Sequence, residues 1–419
     1  MTCSCAAILS TLVLSSSALL PPARVGRLAV LPAAQWLRCP LSPRQTLRSA
    51  LPTQRKAMLA ATATAADETA QQAETEHTRS SVWGLTWYPL QFERFADKSS
   101  PSSCTVLGAP VVFWWDPVAR QWAAALDVCP HRLAPLSEGR VCPLSGDIEC
   151  PYHGWTFKGS DGTCTKIPQM ESSQKINQKR ASATALPVEL RNGIIWCWAA
   201  KLVNSPELPD FCKLDLLQVD CVGKPGIVNL DYFRDLPMDS TILTENILDP
   251  SHLPFTHHKT ISRRSRAGPI TLRLIGDIER GGFSSVKGAS KSFGSENSTA
   301  GGGVQFVAPH HVVSVTHRKD SFSDWNVVYA VPQDAGRCRL FVRVVFQTSA
   351  MTWPMSWLFH LIFRLPQWYS HLTNHQILED DNIFLHKQEH ILHSRLRTPS
   401  LSQDPPPSTG RRLKSLEGE

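Results

Sequence analysis

Between residues 83 and 200, short apolar segments alternate with clusters of Gly, Pro, Asp and Ser. Residues 111–115, 123–128 and 193–198 are three such segments, dominated by Val, Ala, Trp, Phe and Ile. Aromatic and β-branched residues favour extended backbone, and the residues between the segments favour turns. The pattern predicts a small all-β domain over residues 82–205.

A second domain, residues 206–395, is predicted to combine an antiparallel sheet with a long carboxyl-terminal helix. From residue 355 to about 392, apolar positions recur every three or four residues, which is the period of an α-helix. Upstream, four segments alternate or run apolar between turn residues, as strands do. These segments are residues 304–307, 311–315, 325–330 and 340–346. Residues 281–303 are dense in Gly, Ser and Lys and predict a loop, so the expected fold class is α+β.

Both ends of the chain differ in composition from the two predicted domains. Residues 1–66 are rich in Ala, Ser, Leu and Arg and contain no acidic residue, which is typical of an organelle transit peptide. The apolar run at residues 6–20 leaves a secretory signal, or signal and transit peptides in tandem, open as alternatives. Residues 67–81 are polar and acidic and predict a linker. Residues 396–419, with three consecutive prolines and scattered charges, predict a disordered tail.

The formal net charge of +7 originates in the amino-terminal segment, which carries seven basic residues. In the rest of the chain 36 basic residues are balanced by 36 acidic ones. This balance argues against a nucleic-acid partner, because nucleic-acid-binding proteins need a standing excess of Lys and Arg. A membrane-spanning helix is not predicted either, since it requires about 20 uninterrupted apolar residues. The closest segment, residues 351–365, is interrupted by Pro354, His360 and Arg364.

The first candidate metal site consists of Cys129 and His131 and, after 18 intervening residues, Cys150 and His153. Two loops that each supply one thiolate and one imidazole suit a 2Fe-2S cluster in which two sulfurs hold one iron and two ring nitrogens hold the other. The alternative is a zinc site, although zinc ligands usually pair like with like on a knuckle and a helix. Twelve cysteines in 419 residues are too sparse for a disulfide scaffold, which favours a reducing compartment.

A second candidate metal site begins with His252 and His257, five residues apart on a segment interrupted near Pro254. If both rings converge on one cation, a carboxylate completes the 2-His-1-carboxylate triad of non-haem ferrous oxygenases and leaves adjacent positions open. This carboxylate is expected from the acidic cluster at residues 379–382. The alternatives are a pair of core histidines and an acidic cluster that only faces solvent from a helix.

Residues 129–132 read C-x-H-R, and residues 150–155 read C-x-Y-H-G-W. Both motifs resemble the cluster loops in the Rieske domains of ring-hydroxylating oxygenases. Residues 245–266 and 377–389 are similar to segments of the pheophorbide a oxygenase branch, which also contains chlorophyllide a oxygenase and Rieske components of the chloroplast translocon. The resemblance covers residues 83–392 and implies an all-β Rieske domain followed by an α+β helix-grip catalytic domain.

The resemblance implies two cofactors, a Rieske 2Fe-2S cluster and a mononuclear Fe(II). The expected cluster ligands are Cys129, His131, Cys150 and His153. The expected ligands of the mononuclear iron are His252, His257 and Asp381. Asp381 is preferred because it stands seven residues before Gln388, as in the late acidic motif of the family, and Asp380 is the alternative.

Two further residues receive roles from the resemblance. Asp249 is expected to hydrogen-bond His252 of its own chain and His153 of a neighbouring subunit, which joins the two metal centres and fixes the ring tautomers. This role implies a head-to-tail homo-oligomer, most often a trimer in the family. Asn246 is expected near the iron, whereas His258 is expected to be a neighbour of the site and not a ligand.

For function, the resemblance implies oxygenation of a chlorophyll-derived tetrapyrrole in the plastid, with O2 and with electrons from ferredoxin. Oxygenolytic ring opening of pheophorbide a is the preferred reaction. The alternatives are hydroxylation of another chlorophyll derivative or catabolite, and an electron-transfer protein without turnover. An apolar substrate cavity is expected, with five aromatic residues as candidates for its lining. These are Phe255, Phe306, Trp325, Trp353 and Trp357.

One feature of the branch has no counterpart in the sequence. Many members carry a carboxyl-terminal Cys-x-x-Cys and apolar membrane anchors, whereas the last cysteine here is Cys338 and the segment after Leu392 is polar. This departure indicates a divergent or an incomplete version of the branch or a chain without such an anchor, and peripheral association with a plastid membrane is left open.

Overall fold

The computed structural model describes six segments of the chain. They are residues 82–171, 173–287, 302–317, 323–348, 353–362 and 367–397. The predicted targeting segment, 1–66, and the predicted linker, 67–81, lie outside these residues. The predicted tail, 396–419, overlaps them by two residues, and these two end the last helix instead of belonging to a disordered segment.

The first domain is built from three antiparallel sheets. Its strands are β1 (Trp87–Phe92), β2 (Ser102–Val106), β3 (Ala109–Asp116), β4 (Gln121–Leu126), β5 (Arg140–Val141), β6 (Ile148–Glu149), β7 (Thr156–Phe157), β8 (Cys164–Lys166), β9 (Ala185–Leu186), β10 (Val188–Arg191) and β11 (Ile194–Trp198). The strand orders are β1-β11-β10, β2-β3-β4-β9 and β5-β6-β7-β8. The three predicted apolar segments overlap β3, β4 and β11. All five residues of β11 are buried, because this strand is central in its sheet and packs into the main core.

The second domain contains a seven-stranded antiparallel sheet and a long helix. Its strands are β12 (Ile227–Leu236), β13 (Leu272–Glu279), β14 (Gly282–Lys287), β15 (Gly302–Val307), β16 (His311–His317), β17 (Ser323–Asp334) and β18 (Arg337–Gln347). Their order is β12-β18-β17-β16-β15-β14-β13, a meander from β13 to β18 to which β12 is added beside β18. The predicted α+β class and the antiparallel sheet are confirmed.

Helices are few and mostly short until the carboxyl-terminal part of the chain. The described α-helices are α1 (Gln178–Ala181), α2 (Phe211–Leu216), α3 (Ser240–Leu248), α4 (Leu253–Thr256), α5 (Trp353–Ile362) and α6 (Gln367–Arg397). The predicted helix from residue 355 to 392 therefore corresponds to α5 and α6. In the described part of the chain, no helix combines the length and apolar character needed to span a bilayer.

The predicted strand segments of the second domain all lie within β15 to β18, whereas β12, β13 and β14 were not predicted. The predicted loop over residues 281–303 is wrong at both ends, because residues 282–287 form β14 and β15 begins at residue 302. All eight residues of β13, the edge strand, are exposed, so they show no alternation between a buried and a solvent face. β14 is rich in Gly and Ser, a composition typical of loops, and it was therefore predicted as part of a loop.

The two domains share one hydrophobic core. Trp87 and Phe92 of β1 are buried together with Tyr329 of β17 and Phe341 of β18. The rings of Phe92 and Phe341 meet edge to face with centroids 5.6 Å apart. Burial of large aromatic side chains across this boundary stabilises the arrangement of the two domains as well as each domain by itself.

A buried ion pair connects the sheet of the second domain with a turn of the first. Asp231 and Arg343 are cross-strand partners on β12 and β18, and Arg343 donates from Nε and Nη2 to the two carboxylate oxygens at 2.7 and 3.1 Å. Its Nη1 donates to the carbonyl of Asn192 at 2.6 Å. Asn192 and Gly193 both have positive φ and form the tight turn between β10 and β11. One guanidinium therefore joins two strands of the second domain and a turn of the first.

Helix α6 is held against the second domain by polar contacts along its middle section. Glu379 pairs with Arg234 of β12. His386 Nδ1 lies 3.0 Å from a backbone carbonyl between β12 and α3, and the buried Glu389 accepts a hydrogen bond from the backbone N–H of Asp239 at 3.1 Å. Asp239 caps the amino terminus of α3. These contacts place the acidic turn of α6 beside the segment that follows α3.

We predict that Asp231→Ala destabilises the protein by about 3–5 kcal/mol, because it leaves the Arg343 charge buried without a partner. Asp235→Ala is the matched control, since Asp235 and Arg339 are also cross-strand partners on β12 and β18 but the Asp235 side chain is 45% exposed. For that variant we expect a loss of about 1 kcal/mol or less. Urea unfolding curves of the two variants measure both values, and equal losses would contradict the role given to the buried pair.

Candidate metal centres

The loop after β4 presents the first thiol from a closed backbone turn. The N–H of Cys129 donates to the carbonyl of Ala134 at 2.9 Å, and the N–H of Leu133 donates to the carbonyl of Cys129 at 2.9 Å. Leu133 closes the turn with φ of 58°, a left-handed conformation that is costly for a residue with a side chain. Its side chain is 75% exposed. The turn places His131 at the outer tip of the loop.

The loop after β6 repeats this backbone pattern. The N–H of Cys150 donates to the carbonyl of Trp155 at 2.8 Å, and the N–H of Gly154 donates to the carbonyl of Cys150 at 3.1 Å. Gly154 occupies the left-handed position with φ of 72°, and a Cβ there would lie 3.1 Å from Pro168 Cγ. Glycine suits this position because it adopts positive φ without strain and needs no space.

The two loops bring two thiols and two imidazoles together. Cys129 and Cys150 are buried, with 1% and 2% exposure, and their side chains contact each other. The rings of His131 and His153 have centroids 4.6 Å apart, and Trp155 stacks on His131 at 4.6 Å with the planes 2° from parallel. Thiols inside and imidazoles outside fit a 2Fe-2S cluster whose histidine-bound iron lies nearer the surface.

The protonation of these groups also fits a bound cluster. Burial raises the pKa of Cys129 to about 11, the backbone N–H of His131 opposes this, and the neighbouring Cys150 adds to it. A bound metal ion supplies the positive charge that such thiols need in order to ionise. Desolvation, followed by the proximity of His153 and Arg132, lowers the pKa of His131. A neutral imidazole is the form that binds a metal.

The second site is organised by the one-turn helix α4. His252 is the residue at its amino-terminal cap, His257 is the residue at its carboxyl-terminal cap, and Pro254 lies in its first turn. This places the two rings side by side, with centroids 5.4 Å apart. Asp381 reaches them from α6, and one ligand atom from each of the three side chains lies within 4.8 Å of the others. The arrangement could hold a metal ion with two imidazoles and one carboxylate.

The two neighbouring aspartates face different nitrogens of His257. Asp381 Oδ2 lies 3.1 Å from His257 Nε2 and 4.0 Å from His252 Nε2, whereas Asp380 Oδ2 lies 3.3 Å from His257 Nδ1. Burial lowers the pKa of His257, but the hydrogen bonds and charges of Asp381 and Asp380 raise it by more, so its pKa lies above the usual value. The negative charge around this ring favours a cation.

Asp249 does not make the expected hydrogen bond to His252. Its carboxylate accepts instead from the backbone N–H of Ser251 at 2.7 Å and from the Ser251 hydroxyl, and the residue is exposed. His252 Nδ1 is buried without a hydrogen-bond partner among the described residues. In this structure a local turn occupies the carboxylate, and the expected contact with His252 stays a prediction. Asn246 lies in the last turn of α3, where its carbonyl accepts from the N–H of Asp249 at 3.2 Å.

His258 lies outside the group of three side chains that could hold a metal. Its Nδ1 accepts a hydrogen bond from the backbone N–H of Arg264 at 3.2 Å. This contact helps to fold back the basic segment that follows α4 and leaves His252 and His257 as the two histidines of the described cluster.

A cavity of about 150 Å³ opens between α3 and the strands β13, β14 and β15. Leu248 at the end of α3 is four residues before His252, so the cavity adjoins the segment that carries the histidines. Its lining is almost entirely apolar: Leu248, Leu272, Leu274, Phe283, Ser285 and Val304. None of the five expected aromatic residues lines it.

The expected aromatic residues lie elsewhere, and their positions explain the error. Trp325 packs against the shared core, and Phe306 contacts the lining residue Phe283 with centroids 5.8 Å apart. Phe255, Trp353 and Trp357 are exposed. Four of the six lining residues belong to β13 and β14, the strands that lack a clear sequence pattern, so no signal in the sequence pointed to them.

Two family models match different parts of the chain. The family model of the Rieske [2Fe-2S] domain matches residues 86–184, and the model of the pheophorbide a oxygenase family matches residues 306–398. A chloroplastic pheophorbide a oxygenase of Oryza sativa is 31% identical over 344 residues, covering 78% of this chain and 62% of the relative. The chloroplastic protein TIC 55 of Arabidopsis thaliana is 31% identical, covering 74% of this chain and 54% of the relative.

The chain thus spans about three fifths of the length of these relatives. Among solved structures, dicamba monooxygenase bound to dicamba superimposes with a TM-score of 0.57 at 19% identity, over 78% of this chain and 92% of that chain. At this level of identity the likeness concerns the fold alone.

We predict that Asp381→Ala removes one bound iron per chain and leaves the visible absorption of the 2Fe-2S cluster unchanged, because a site with two histidines alone binds Fe(II) weakly. Glu379→Ala is the matched control, since Glu379 lies on the same helical turn but faces Arg234 and is exposed. Iron analysis after anaerobic reconstitution measures both. Loss of iron from the Glu379 variant, or none from the Asp381 variant, would contradict the ligand set.

Proposed function

The chain belongs to the Rieske-type non-haem iron oxygenases, and from this membership we propose that it oxygenates a chlorophyll-derived tetrapyrrole. Ferredoxin is the proposed electron donor and O2 the oxidant. The observation that carries the proposal is the convergence of His252, His257 and Asp381 in a chain that also carries a Rieske domain. The relatives are named chloroplastic, which supports a plastid location.

We assign the cluster to the two loops of the first domain and Fe(II) to the histidines and aspartate of the second. The cluster ligands are Cys129, His131, Cys150 and His153. The Fe(II) ligands are His252, His257 and Asp381. When bound, the cluster supplies single electrons at a potential raised by its histidine ligands, and the ferrous ion supplies the site at which O2 is activated.

The side chains of the chain have separate tasks in this proposal. Cys129 and Cys150 would hold the inner side of the cluster away from water, and the exposed ring of His131 would lie on the side open to a donor. His252, His257 and Asp381 would hold the ferrous ion, and three protein ligands would leave coordination positions for oxygen and substrate. The apolar side chains of the cavity that Leu248 helps to line favour an apolar group of the substrate.

Oxygenolytic ring opening of pheophorbide a is the proposed reaction. Residues 306–398 match the pheophorbide a oxygenase family, and the relative from Oryza sativa carries that name. Hydroxylation of another chlorophyll derivative leaves the macrocycle closed, and an electron-transfer protein produces no oxygenated pigment. The three functions therefore predict three different products.

We predict that the reconstituted full chain, supplied with reduced ferredoxin, O2 and pheophorbide a, converts the pigment to an oxygenated, ring-opened product. Ring opening interrupts the conjugation of the macrocycle, so the long-wavelength absorption disappears while the mass increases by oxygen. Mass spectrometry and absorption spectra measure this. Asp381→Ala is the control, because it keeps the cluster loops and removes a proposed iron ligand.

The other outcomes of this experiment distinguish the alternatives. An oxygenated product that keeps the macrocycle absorption supports a hydroxylase and contradicts ring opening. Reduction of the cluster without oxygenated product, in a chain that binds no third iron, supports electron transfer without turnover and contradicts the oxygenase.

We also infer that Asp249 serves a head-to-tail homotrimer by linking His252 to His153 of a neighbouring subunit. Two observations support this: Asp249 is exposed, and His252 Nδ1 is buried with no partner among the described residues. A rearranged Asp249 carboxylate could supply that partner. Asn246, one turn earlier on α3, is proposed to lie near the iron and to support the same contact region.

We predict that Asp249→Asn retains both metal centres, as measured by iron content and cluster absorption, but loses nearly all turnover coupled to cluster oxidation. The physical reason is that the amide cannot accept from both rings as a carboxylate does. Stopped-flow measurement of cluster oxidation in the presence of substrate and O2 gives the rate. Wild-type rates in this variant would contradict the relay, and a monomeric chain in sedimentation experiments would contradict the trimer.

A further inference from the structure

Asp380 makes two contacts through one carboxylate oxygen. Asp380 Oδ2 accepts a hydrogen bond from Thr260 Oγ1 at 2.6 Å and lies 3.3 Å from His257 Nδ1. The His257 side chain is buried, and that of Asp380 is one quarter exposed. Asp380 therefore lies behind the His257 ring, opposite the nitrogen that faces Asp381.

These contacts determine which nitrogen of His257 carries hydrogen. A carboxylate oxygen that already accepts from Thr260 favours the form of His257 that carries hydrogen on Nδ1. The lone pair of a neutral ring is then on Nε2, which faces Asp381 Oδ2 at 3.1 Å. Nε2 is the atom that belongs to the cluster able to hold a metal ion.

Thr260 is placed for this contact by the turn that follows α4. The carbonyl of His257 accepts from the N–H of Thr260 at 3.1 Å and from the N–H of Ser262 at 3.0 Å. The N–H of Lys259 donates to the carbonyl of Ser262 at 2.9 Å, and Lys259 has φ of 73°. These hydrogen bonds close the turn, and the Thr260 hydroxyl holds the Asp380 carboxylate toward the His257 ring.

The two histidines differ in this respect. His257 has a carboxylate at each ring nitrogen, whereas Nδ1 of His252 has no hydrogen-bond partner among the described residues. Successive residues of α6 thus perform two tasks, because Asp381 faces the metal cluster and Asp380 faces the back of one of its ligands. A hydrogen-bonded outer carboxylate fixes the orientation of a metal-binding imidazole and raises its basicity.

We propose that Asp380 is a positioning residue that fixes the tautomer and orientation of His257 so that Nε2 is presented to Fe(II). The inference rests on the proposed function in one respect, namely that the cluster of His252, His257 and Asp381 binds Fe(II). It goes further by assigning the neighbouring aspartate, which sequence reasoning treated only as an alternative ligand, to the histidine instead of the metal.

The test is the affinity of the full chain for Fe(II), measured anaerobically by competition with a chelator, with cluster absorption and circular dichroism as measures of folding. The side chains introduced by Asp380→Leu and Asp380→Asn both branch at Cγ, but only the asparagine keeps an acceptor oxygen behind the ring. We expect Asp380→Leu to lose about 10- to 100-fold in Fe(II) affinity. We expect Asp380→Asn to keep most of the affinity, and Thr260→Val to lose less than Asp380→Leu.

Each outcome separates the inference from the proposed function. If the wild-type chain binds no Fe(II) beyond the cluster, the proposed function and the positioning role are both overturned. If the wild-type chain binds Fe(II) and the leucine and asparagine variants bind it equally well, the positioning role alone is overturned. Should Asp380→Leu fail to fold, the Fe(II) affinities of Asp380→Asn and Thr260→Val are compared with that of the wild type. Wild-type affinity in Thr260→Val together with a large loss of affinity in Asp380→Asn would overturn the role of the acceptor oxygen.

Discussion

The docking of α6 against α3 is the contact on which the second metal centre depends. It brings the aspartates of α6 to histidines more than 120 residues earlier in the chain. The helix is held in place mainly by the buried Glu389, which accepts from the amino terminus of α3. The exposed pair of Glu379 with Arg234 adds little to this. Without this docking, His252 and His257 would be two neighbouring rings with no carboxylate.

A comparable constraint connects the two domains. Arg343 is almost fully buried, and its guanidinium is shared between Asp231 of its own sheet and the carbonyl of Asn192 in the other domain. A buried charge is tolerated only where its hydrogen bonds are made, so displacing the turn at Asn192 costs free energy. The aromatic core shared by the domains acts in the same direction. The domain with the two Cys/His loops and the domain with the candidate iron site thus have a defined relative position within one chain.

Much of the fold could be predicted because its signals are local. The apolar segments that became β3, β4 and β11, and those within β15 to β18, alternate or run apolar over a few residues. β12 escaped prediction because its buried face includes the charged Asp231, whose compensation by Arg343 comes from a strand more than 100 residues away. β13 escaped because it lies exposed at a sheet edge. Local patterns do not report a partner that is distant along the chain.

The candidate sites also divide into parts with local sequence signals and parts that depend on distant segments. Each cluster loop is a few consecutive residues closed by its own backbone hydrogen bonds, so spacing alone pointed to Cys129, Cys150 and their histidines. The choice between Asp380 and Asp381 was different, because neighbouring residues on a helix point about 100° apart and only the packing of α6 decides which one faces His257 Nε2. The cavity walls and the turn that occupies the Asp249 carboxylate were likewise decided by tertiary structure, since they depend on which distant segments become neighbours.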